Sequence, residues 1–433
     1  MMGYFILALT IVIYLIRPAE WISVLHFNWN MLLTAFGIII IFWSFLNKSY
    51  QDKYDRSTQF LILFVCSMLL SNIFNGQFST IGNYLSQMIF ILVVYSLVQL
   101  CINTRSQVDN FILLIVLLIL FICYQCYLQV TVGMSWGGLE PLSRGLVSSI
   151  DSETGISTQR ELQVIWYGIL QDPNDLGMLL IAFSPYIFNR IFYQKLSFIK
   201  KMFWFITLLI TCYTIILTNS RGSMLSLIGG LGFFYILKKR SMTGYILAGV
   251  VTIALLSLAP SRMGELGSGD HSAMGRVYAW ILALELLAMN PLFGIGATHF
   301  LDYHSLTTHN SYVLAMVENG IVGFFGYCSL ISIAVYTMIK VAYSLEDKQR
   351  STEVISLVSG MIGILISIFF ISRTYALLPY LYIAIMMVYI RVYCPELHSK
   401  HIKSLSFLKL GIISFGFIIF VYIFNRLATS ILS

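Results

Sequence analysis

The sequence predicts an all-α protein: a polytopic transmembrane bundle of about twelve or thirteen helices with two large extracytoplasmic loops. Of its 433 residues, 58% are hydrophobic and only 10% are charged, whereas a soluble domain averages about 25% charged residues. Mean hydropathy is +0.84. Apolar runs of roughly 20 residues, the length that crosses a bilayer, recur from end to end. No soluble domain is expected.

The apolar runs define the individual helices in chain order. The predicted spans are 3–16, 30–46, 58–74, 83–101, 110–131, 175–192, 202–218, 222–237, 243–259, 321–341, 353–372, 375–391 and 408–428. Five regions follow: N-terminal helices (1–131), a first extracytoplasmic loop (132–173), central helices with an arginine motif (174–259), a second extracytoplasmic loop with amphipathic helices (260–320) and C-terminal helices (321–433).

The basic residues orient these spans. With the N-terminus inside, all twelve lysines fall in cytoplasmic loops, as the positive-inside rule requires. The cations left outside are all arginines: Arg17, Arg144, Arg160, Arg221, Arg262, Arg276, Arg373 and Arg426. Arginine stays charged and binds phosphate bidentately. The alternative interpretation is that these arginines pair with outside acids such as Glu153, Glu161, Asp270 and Asp302.

The cysteines carry no predicted chemistry. The seven cysteines all lie outside the two large loops, and Cys123 and Cys126 form a CxxC within an apolar run without a nearby histidine. Packing is favoured there over a redox or zinc site. No clustered carboxylates or histidines indicate a metal site, so no metal is expected. No cofactor and no nucleic-acid partner are expected either.

The second large loop has internal order. A helix is predicted over 273–289, carrying Arg276 among apolar residues, and it is expected to lie at the membrane interface and to end at Asn290-Pro291. A second short helix is predicted over 307–319, with a break at Glu318-Asn319-Gly320. A broken helix at membrane depth is tolerated where it lines a cavity. His309 and Glu318 are therefore predicted near the mouth of an outward-facing chamber.

Short polar motifs at the outer ends of spans are the candidate site. They are Asn219-Ser220-Arg221-Gly222, Gly275-Arg276-Val277-Tyr278 and His309-Asn310-Ser311-Tyr312. A fourth motif, Asp172-Pro173-Asn174-Asp175, suits helix capping, with a role in acceptor or cation contact as the alternative.

This ordered set resembles the O-antigen ligase/polymerase superfamily. The resemblance also includes Asn290-Pro291-Leu292-Phe293-Gly294-Ile295-Gly296 and Glu318-Asn319-Gly320, and it covers about residues 172–326. It implies a metal-independent, inverting glycosyltransferase of the C type, which moves a glycan from undecaprenyl diphosphate to a hydroxyl on the periplasmic face. The implied acceptor is lipid A-core, another glycan or a protein. The implied membrane is a bacterial inner membrane.

The resemblance assigns catalysis to Arg221, Arg276 and His309, and diphosphate binding to the two arginines. The chemistry agrees, because arginines can stabilise charge growing on a diphosphate leaving group and histidine can accept the acceptor's proton. The possible supporting residues are Ser220, Asn310, Tyr312, Glu318, Asp172 and Asn174. His271, His299 and His304 are rival bases.

Two other functional classes remain open. A transporter or flippase predicts charges deep inside spans and inverted repeats, and neither is evident. A structural subunit of an export complex predicts no need for Arg221 or His309. Ligases, repeat-unit polymerases and protein O-oligosaccharyltransferases share these motifs, so the sequence does not distinguish among the three activities.

Overall fold

A computed structural model describes residues 2–22, 25, 27–48, 50, 53–79, 81–149, 157–239 and 271–432. Its helices are α1 (Met2–Ile16), α2 (Pro18–Trp21), α3 (Trp29–Leu46), α4 (Arg56–Phe74), α5 (Ile81–Cys101), α6 (Arg105–Thr131), α7 (Pro173–Phe192), α8 (Phe198–Leu217), α9 (Arg221–Lys239), α10 (His271–Met289), α11 (Ser311–Ser344), α12 (Lys348–Phe370), α13 (Leu377–Tyr393), α14 (Pro395–His401) and α15 (Phe407–Leu432).

The helical fold class is confirmed. By length and composition, seven of the described helices can each cross a membrane: α3, α4, α6, α8, α11, α12 and residues 407–424 of α15. Twelve of the predicted spans coincide with helices, and the span predicted at 243–259 lies outside the described residues. The protein is therefore a multi-pass membrane protein.

A two-stranded hairpin in the first large loop was not predicted. Strands β1 (Leu142–Ser149) and β2 (Ser157–Gln163) pair antiparallel, from Leu142 opposite Gln163 to Ser149 opposite Ser157. The turn between them lies outside the described residues. The base of the hairpin is tied to the bundle, because Val164 N donates to Leu217 O at the end of α8 over 3.2 Å.

Helices α7, α9 and α12 pack against one another, and α11 packs against both α12 and α4. Small residues bring their backbones together, as is common between membrane helices. A methyl group on Gly177 of α7 would lie 1.8 Å from Ser223 Oγ of α9. One on Gly360 of α12 would lie 2.1 Å from Ala182 O of α7. These contacts leave no room for larger residues.

The predicted break in α11 is confirmed at Gly320, whose φ of 62° and ψ of −168° are not helical. The segment 291–296 pairs with the backbone groups that the break frees. Ile295 N donates to Val317 O over 3.0 Å, and Ile321 N donates to Pro291 O over 2.8 Å. The approach is so close that a methyl group on Gly320 would lie 2.4 Å from Leu292 O. Pairing of this kind makes irregular backbone tolerable at membrane depth.

Only the start of the predicted helix over 307–319 differs from the structure. Its helical residues begin at Ser311, and the break at Gly320 separates them from the longer part of α11, which ends at Ser344. Asn310 sets this start, because its side chain accepts hydrogen bonds from Tyr312 N at 2.9 Å and Val313 N at 3.1 Å. Two orphan amides of the first turn are thereby satisfied.

Candidate active site

Asp172 opens α7 as a helix cap, which confirms the capping interpretation of its motif. Its Oδ1 accepts hydrogen bonds from the backbone N and the Nδ2 of Asn174, both at 2.8 Å. Pro173 occupies the first helical position, where a missing N–H costs nothing. The same Asn174 then reaches α9, since its Oδ1 accepts from Ser220 Oγ at 2.6 Å.

Ser220 and Asn219 hold the beginning of α9. Asn219 has a left-handed φ of 46°, a conformation that asparagine tolerates better than most residues. Its Nδ2 donates to Leu162 O over 2.8 Å, which ties the hairpin to this turn. Ser220 Oγ accepts from Ser223 N at 3.0 Å and so caps α9. Arg221 is the first helical residue, and its side chain is exposed.

The pairing of Asp175 with Arg373 joins α7 to the loop between α12 and α13. Arg373 Nε lies 2.7 Å from Asp175 Oδ1, and Nη2 lies 2.5 Å from Oδ2. The carboxylate is 1% exposed, whereas the Arg373 side chain is 33% exposed. Burial opposes the charge on Arg373, but the bonds to Asp175 hold its pKa above the ordinary value. This pair was not predicted, because its partners are far apart in the chain.

The loop that carries Arg373 also binds the start of α11. Arg373 N donates to Ser311 Oγ over 2.7 Å, and Thr374 Oγ1 donates to Ser311 O over 2.7 Å. Thr308 Oγ1 lies 3.2 Å from Ser372 Oγ. His309 stands between these anchored residues, half-buried, with a left-handed φ of 47°. Its backbone position is therefore set from both sides.

Helix α10 brings Arg276 to the same loop. Trp280 Nε1 donates to Thr308 O over 2.6 Å, and Trp280 packs against Phe369 of α12 with ring centroids 5.7 Å apart. Arg276 is half-buried and lies four residues before Trp280, so both are on one face of the helix. A methyl group on Gly275 would lie 2.9 Å from Leu306 Cδ1, which leaves little space between α10 and the loop before His309.

The motifs around Arg221 and His309 are thus joined by one hydrogen-bonded network, and Trp280, two residues after the Arg276 motif, donates to Thr308 beside it. The network runs from Ser220 through Asn174 to the first turn of α7, and from Asp175 through Arg373 to Ser311. The amino ends of α7, α9 and α11 all belong to it. Helix amino ends carry partial positive charge and bind anions. The arrangement suits an anionic ligand, and Arg221 makes no ion pair within the described ranges.

Other predicted supporting residues are engaged internally. Glu318 is 1% exposed, and its two carboxylate oxygens accept from Phe300 N at 3.2 Å and Tyr375 Oη at 2.8 Å. Burial and the neighbouring Glu318 raise the pKa of Tyr375 well above its ordinary value, which keeps this phenol a donor. Tyr312 Oη donates to Leu365 O over 3.0 Å. Glu318 and Tyr312 therefore brace α11 against its neighbours.

The rival histidines make local contacts. His299 Nδ1 lies 2.6 Å from Asp302 Oδ2, and His304 Nδ1 lies 2.9 Å from Leu306 O. The His271 side chain lies outside the described ones. Outside arginines pair with acids in two described cases, Arg17 with Glu20 and Arg373 with Asp175. Other residues of the predicted arginine–acid pairs lie outside the described part of the chain. They are Arg262, Glu153 and Asp270, and the side chains of Arg144, Arg160, Glu161 and Arg426.

A model of the O-antigen ligase family matches residues 206–328. This segment is therefore similar to an O-antigen ligase domain. The segment contains all three motifs around Arg221, Arg276 and His309, together with the break at Gly320. It supports a glycosyltransferase-type function of the O-antigen ligase/polymerase kind, acting on glycan and lipid-linked substrates in a membrane. No curated protein matches the chain.

Among the described residues, no three or more histidine, cysteine, aspartate or glutamate side chains are grouped so that they could bind a metal ion. Asp172 and Asp175 are acids of the network, and each already has a partner: Asp172 caps α7, and Asp175 binds Arg373.

Proposed function

We propose that the protein is an inverting, metal-independent glycosyltransferase of a bacterial inner membrane. It transfers a glycan from undecaprenyl diphosphate to an acceptor hydroxyl, here the lipid A-core, on the periplasmic face. The observation that carries this proposal is the network that joins the amino ends of α7, α9 and α11 beside Arg221 and His309. The O-antigen ligase match over 206–328 supports the same reaction class.

In the proposed mechanism, Arg221 and Arg276 bind the diphosphate of the donor. Negative charge grows on the diphosphate as the anomeric bond breaks, and fixed arginines stabilise it more strongly in the transition state than in the ground state. The amino ends of the three helices add positive potential. No nucleotide is needed, because the lipid diphosphate is already an activated leaving group.

His309 is the proposed general base. As the acceptor oxygen attacks the anomeric carbon, its proton passes to the imidazole of His309. The anchoring of Thr308 to Ser372 and of Ser311 to Arg373 holds the backbone on either side of His309. A fixed base of this kind lowers the entropic cost of reaching the reactive geometry.

The test is the glycan pool on the carrier lipid in cells without the protein. The ligase function predicts accumulation of long, unligated chains on undecaprenyl diphosphate. Single repeat units would instead indicate the polymerase of the same superfamily, and a loss of protein glycosylation would indicate the protein O-oligosaccharyltransferase. An unchanged pool with normal surface glycan would contradict all three.

The orientation is tested by labelling single cysteines with a membrane-impermeant reagent, in a background without native cysteines. Cysteines at Ser148 and Ser268 should react in intact cells with a permeable outer membrane, whereas one at Ser241 should not. Reaction at Ser241 alone would reverse the orientation and move the proposed site to the cytoplasm.

A further inference from the structure

A polar cavity lies at the end of the bundle opposite the candidate site. Its volume is about 940 Å³. It is formed where α4 begins, where α13 ends, and where α14 leads into α15. Helix α13 starts beside the Arg373 loop and reaches the cavity with Arg391, so a full helix separates the two sites. The proposed function makes no use of this cavity.

Positive charge dominates the described lining of the cavity. Lys53, Arg56, Arg391 and Lys403 contribute four cationic side chains, and Asp55 is the single acid among the described lining residues. Asp55 is 8% exposed and already engaged. It caps α4 by accepting from Ser57 N at 2.9 Å, and it lies 3.3 Å from His398 Nε2.

The cations are oriented by neutral groups. Arg391 Nη2 donates to Gln99 O over 2.6 Å and to Ile102 O over 3.0 Å, and Lys53 Nζ donates to Leu100 O over 3.1 Å. Arg56 donates to Leu405 O and stacks over Phe407, with 4.7 Å between its Cζ and the ring centroid. Within the described ranges, none of these cations forms an ion pair.

Carbonyl oxygens fix the direction of a cation but cancel none of its net charge. Burial, and then the charge of Arg391, lower the pKa of the Lys53 ammonium below its ordinary value. The two cations therefore repel each other across a partly buried space. A bound anion removes that cost, and phosphate oxygens are strong acceptors for cationic donors.

The setting of the cavity favours a lipid as the source of the anion. Phe407 and Leu408 begin α15 next to the cavity and are 66% and 75% exposed, so an apolar surface adjoins the charged one. Acidic phospholipids of the cytoplasmic leaflet supply a phosphate beside acyl chains, and basic pockets between membrane helices bind such headgroups. We propose that this cavity binds the phosphate headgroup of an anionic phospholipid.

The full-length protein in neutral detergent tests this proposal. It is titrated separately with dioctanoyl phosphatidylglycerol, dioctanoyl phosphatidylcholine and sodium phosphate, and binding is followed by native mass spectrometry and by melting temperature. Phosphatidylglycerol should bind and raise the melting temperature, and the other two probes should bind at least about tenfold more weakly. Equal binding of phosphatidylcholine would overturn the proposal. Equal binding of phosphate would reject a lipid occupant in favour of a soluble anion.

A matched pair of variants locates the binding. Lys53→Gln with Lys403→Gln removes two lining charges and should weaken phosphatidylglycerol binding by about tenfold or more. Lys348→Gln with Lys400→Gln removes two lysines of the same end that do not line the cavity, and it should leave binding unchanged. Equal weakening in both pairs would show nonspecific attraction and overturn the assignment. If the first pair fails to fold, the exposed Lys403→Gln by itself replaces it.

Discussion

Helices α7 and α12 pack side by side and carry a buried carboxylate at each end of the bundle. The end that holds the candidate site is named the outer end and the opposite one the inner end, and the two carboxylates are neutralised differently. At the inner end, Glu353 meets Arg190 at 2.9 Å, Arg350 at 2.6 Å and Tyr389 Oη at 2.5 Å. At the outer end, Arg373 is the single partner of Asp175 among the ion pairs of the described residues. The inner cluster saturates its carboxylate and cross-links three helices.

The outer end keeps positive charge available. Arg221 stands exposed at the first residue of α9, and three helix amino ends belong to the same network. Unbalanced charge of this kind opposes folding unless a ligand uses it, and for this reason it is typical of functional sites. We therefore propose that the inner cluster contributes stability and that the outer one contributes activity.

Removing the outer arginines should have the largest effect. We expect Arg221→Ala and Arg276→Ala to abolish glycan transfer, and the lysine variants to lose about 10²–10³-fold because they keep charge but lose the guanidinium fork. Transfer from purified lipid-linked donor measures this. Arg17→Ala is the control, since Arg17 is an outside arginine paired with Glu20. Full activity of a correctly inserted Arg221→Ala variant would refute the diphosphate assignment.

Removal of the proposed base should affect turnover but not donor binding. His309→Ala should lose about 10²–10⁴-fold in turnover, while its affinity for undecaprenyl diphosphate stays near that of the parent protein because both arginines remain. Single-turnover rates and equilibrium binding separate the two effects.

The rival histidines serve as controls in the same assays. His271→Ala, His299→Ala and His304→Ala should each retain substantial activity. An inactive His304→Ala beside an active His309→Ala would transfer the base assignment to His304.

Neutralising the two buried carboxylates one at a time should have different effects, on stability at the inner end and on activity at the outer end. Glu353→Gln leaves two arginines without a charged partner and should cost about 2 kcal/mol in stability, less than a fully buried pair because both arginines are partly exposed. Its activity per folded molecule should be unchanged. Asp175→Asn should instead lower transfer about tenfold per folded molecule, because the Arg373 loop that anchors Ser311 loses its tie to α7.

Thermal unfolding in detergent, followed by transfer assays normalised to folded protein, measures both carboxylate variants. The assignment of stability to one end and activity to the other fails if Glu353→Gln is the variant that loses specific activity.

Chelation should have no effect on transfer. The outer arginines supply the positive charge in the proposed mechanism, so activity in EDTA should equal activity in buffer. A loss that Mg²⁺ or Mn²⁺ restores would contradict the metal-free mechanism and give Asp172 and Asp175 a direct role.

Much of the fold was predictable because the information is local. An apolar run of the right length becomes a helix wherever it lies, so spans such as 110–131 agree with α6 to within a few residues at either end. Capping is local too, and Asp172-Pro173 marked the start of α7. The sequence also predicted the position of the break at Gly320, since glycine tolerates the left-handed backbone there.

The contacts between distant segments were decided only by tertiary structure. Asp175 and Arg373 are 198 residues apart, and neither position differs in pattern from a solvated charge at the end of a helix. The sequence Gly294-Ile295-Gly296 is typical of a flexible turn, yet in the fold the backbone of Ile295 and Gly296 pairs with that of the broken α11. The sequence by itself determined the helices, their caps and the polar motifs, because these depend on neighbours within a few residues. Only packing decided which helix ends meet, because side-chain pattern within one span does not specify its partner.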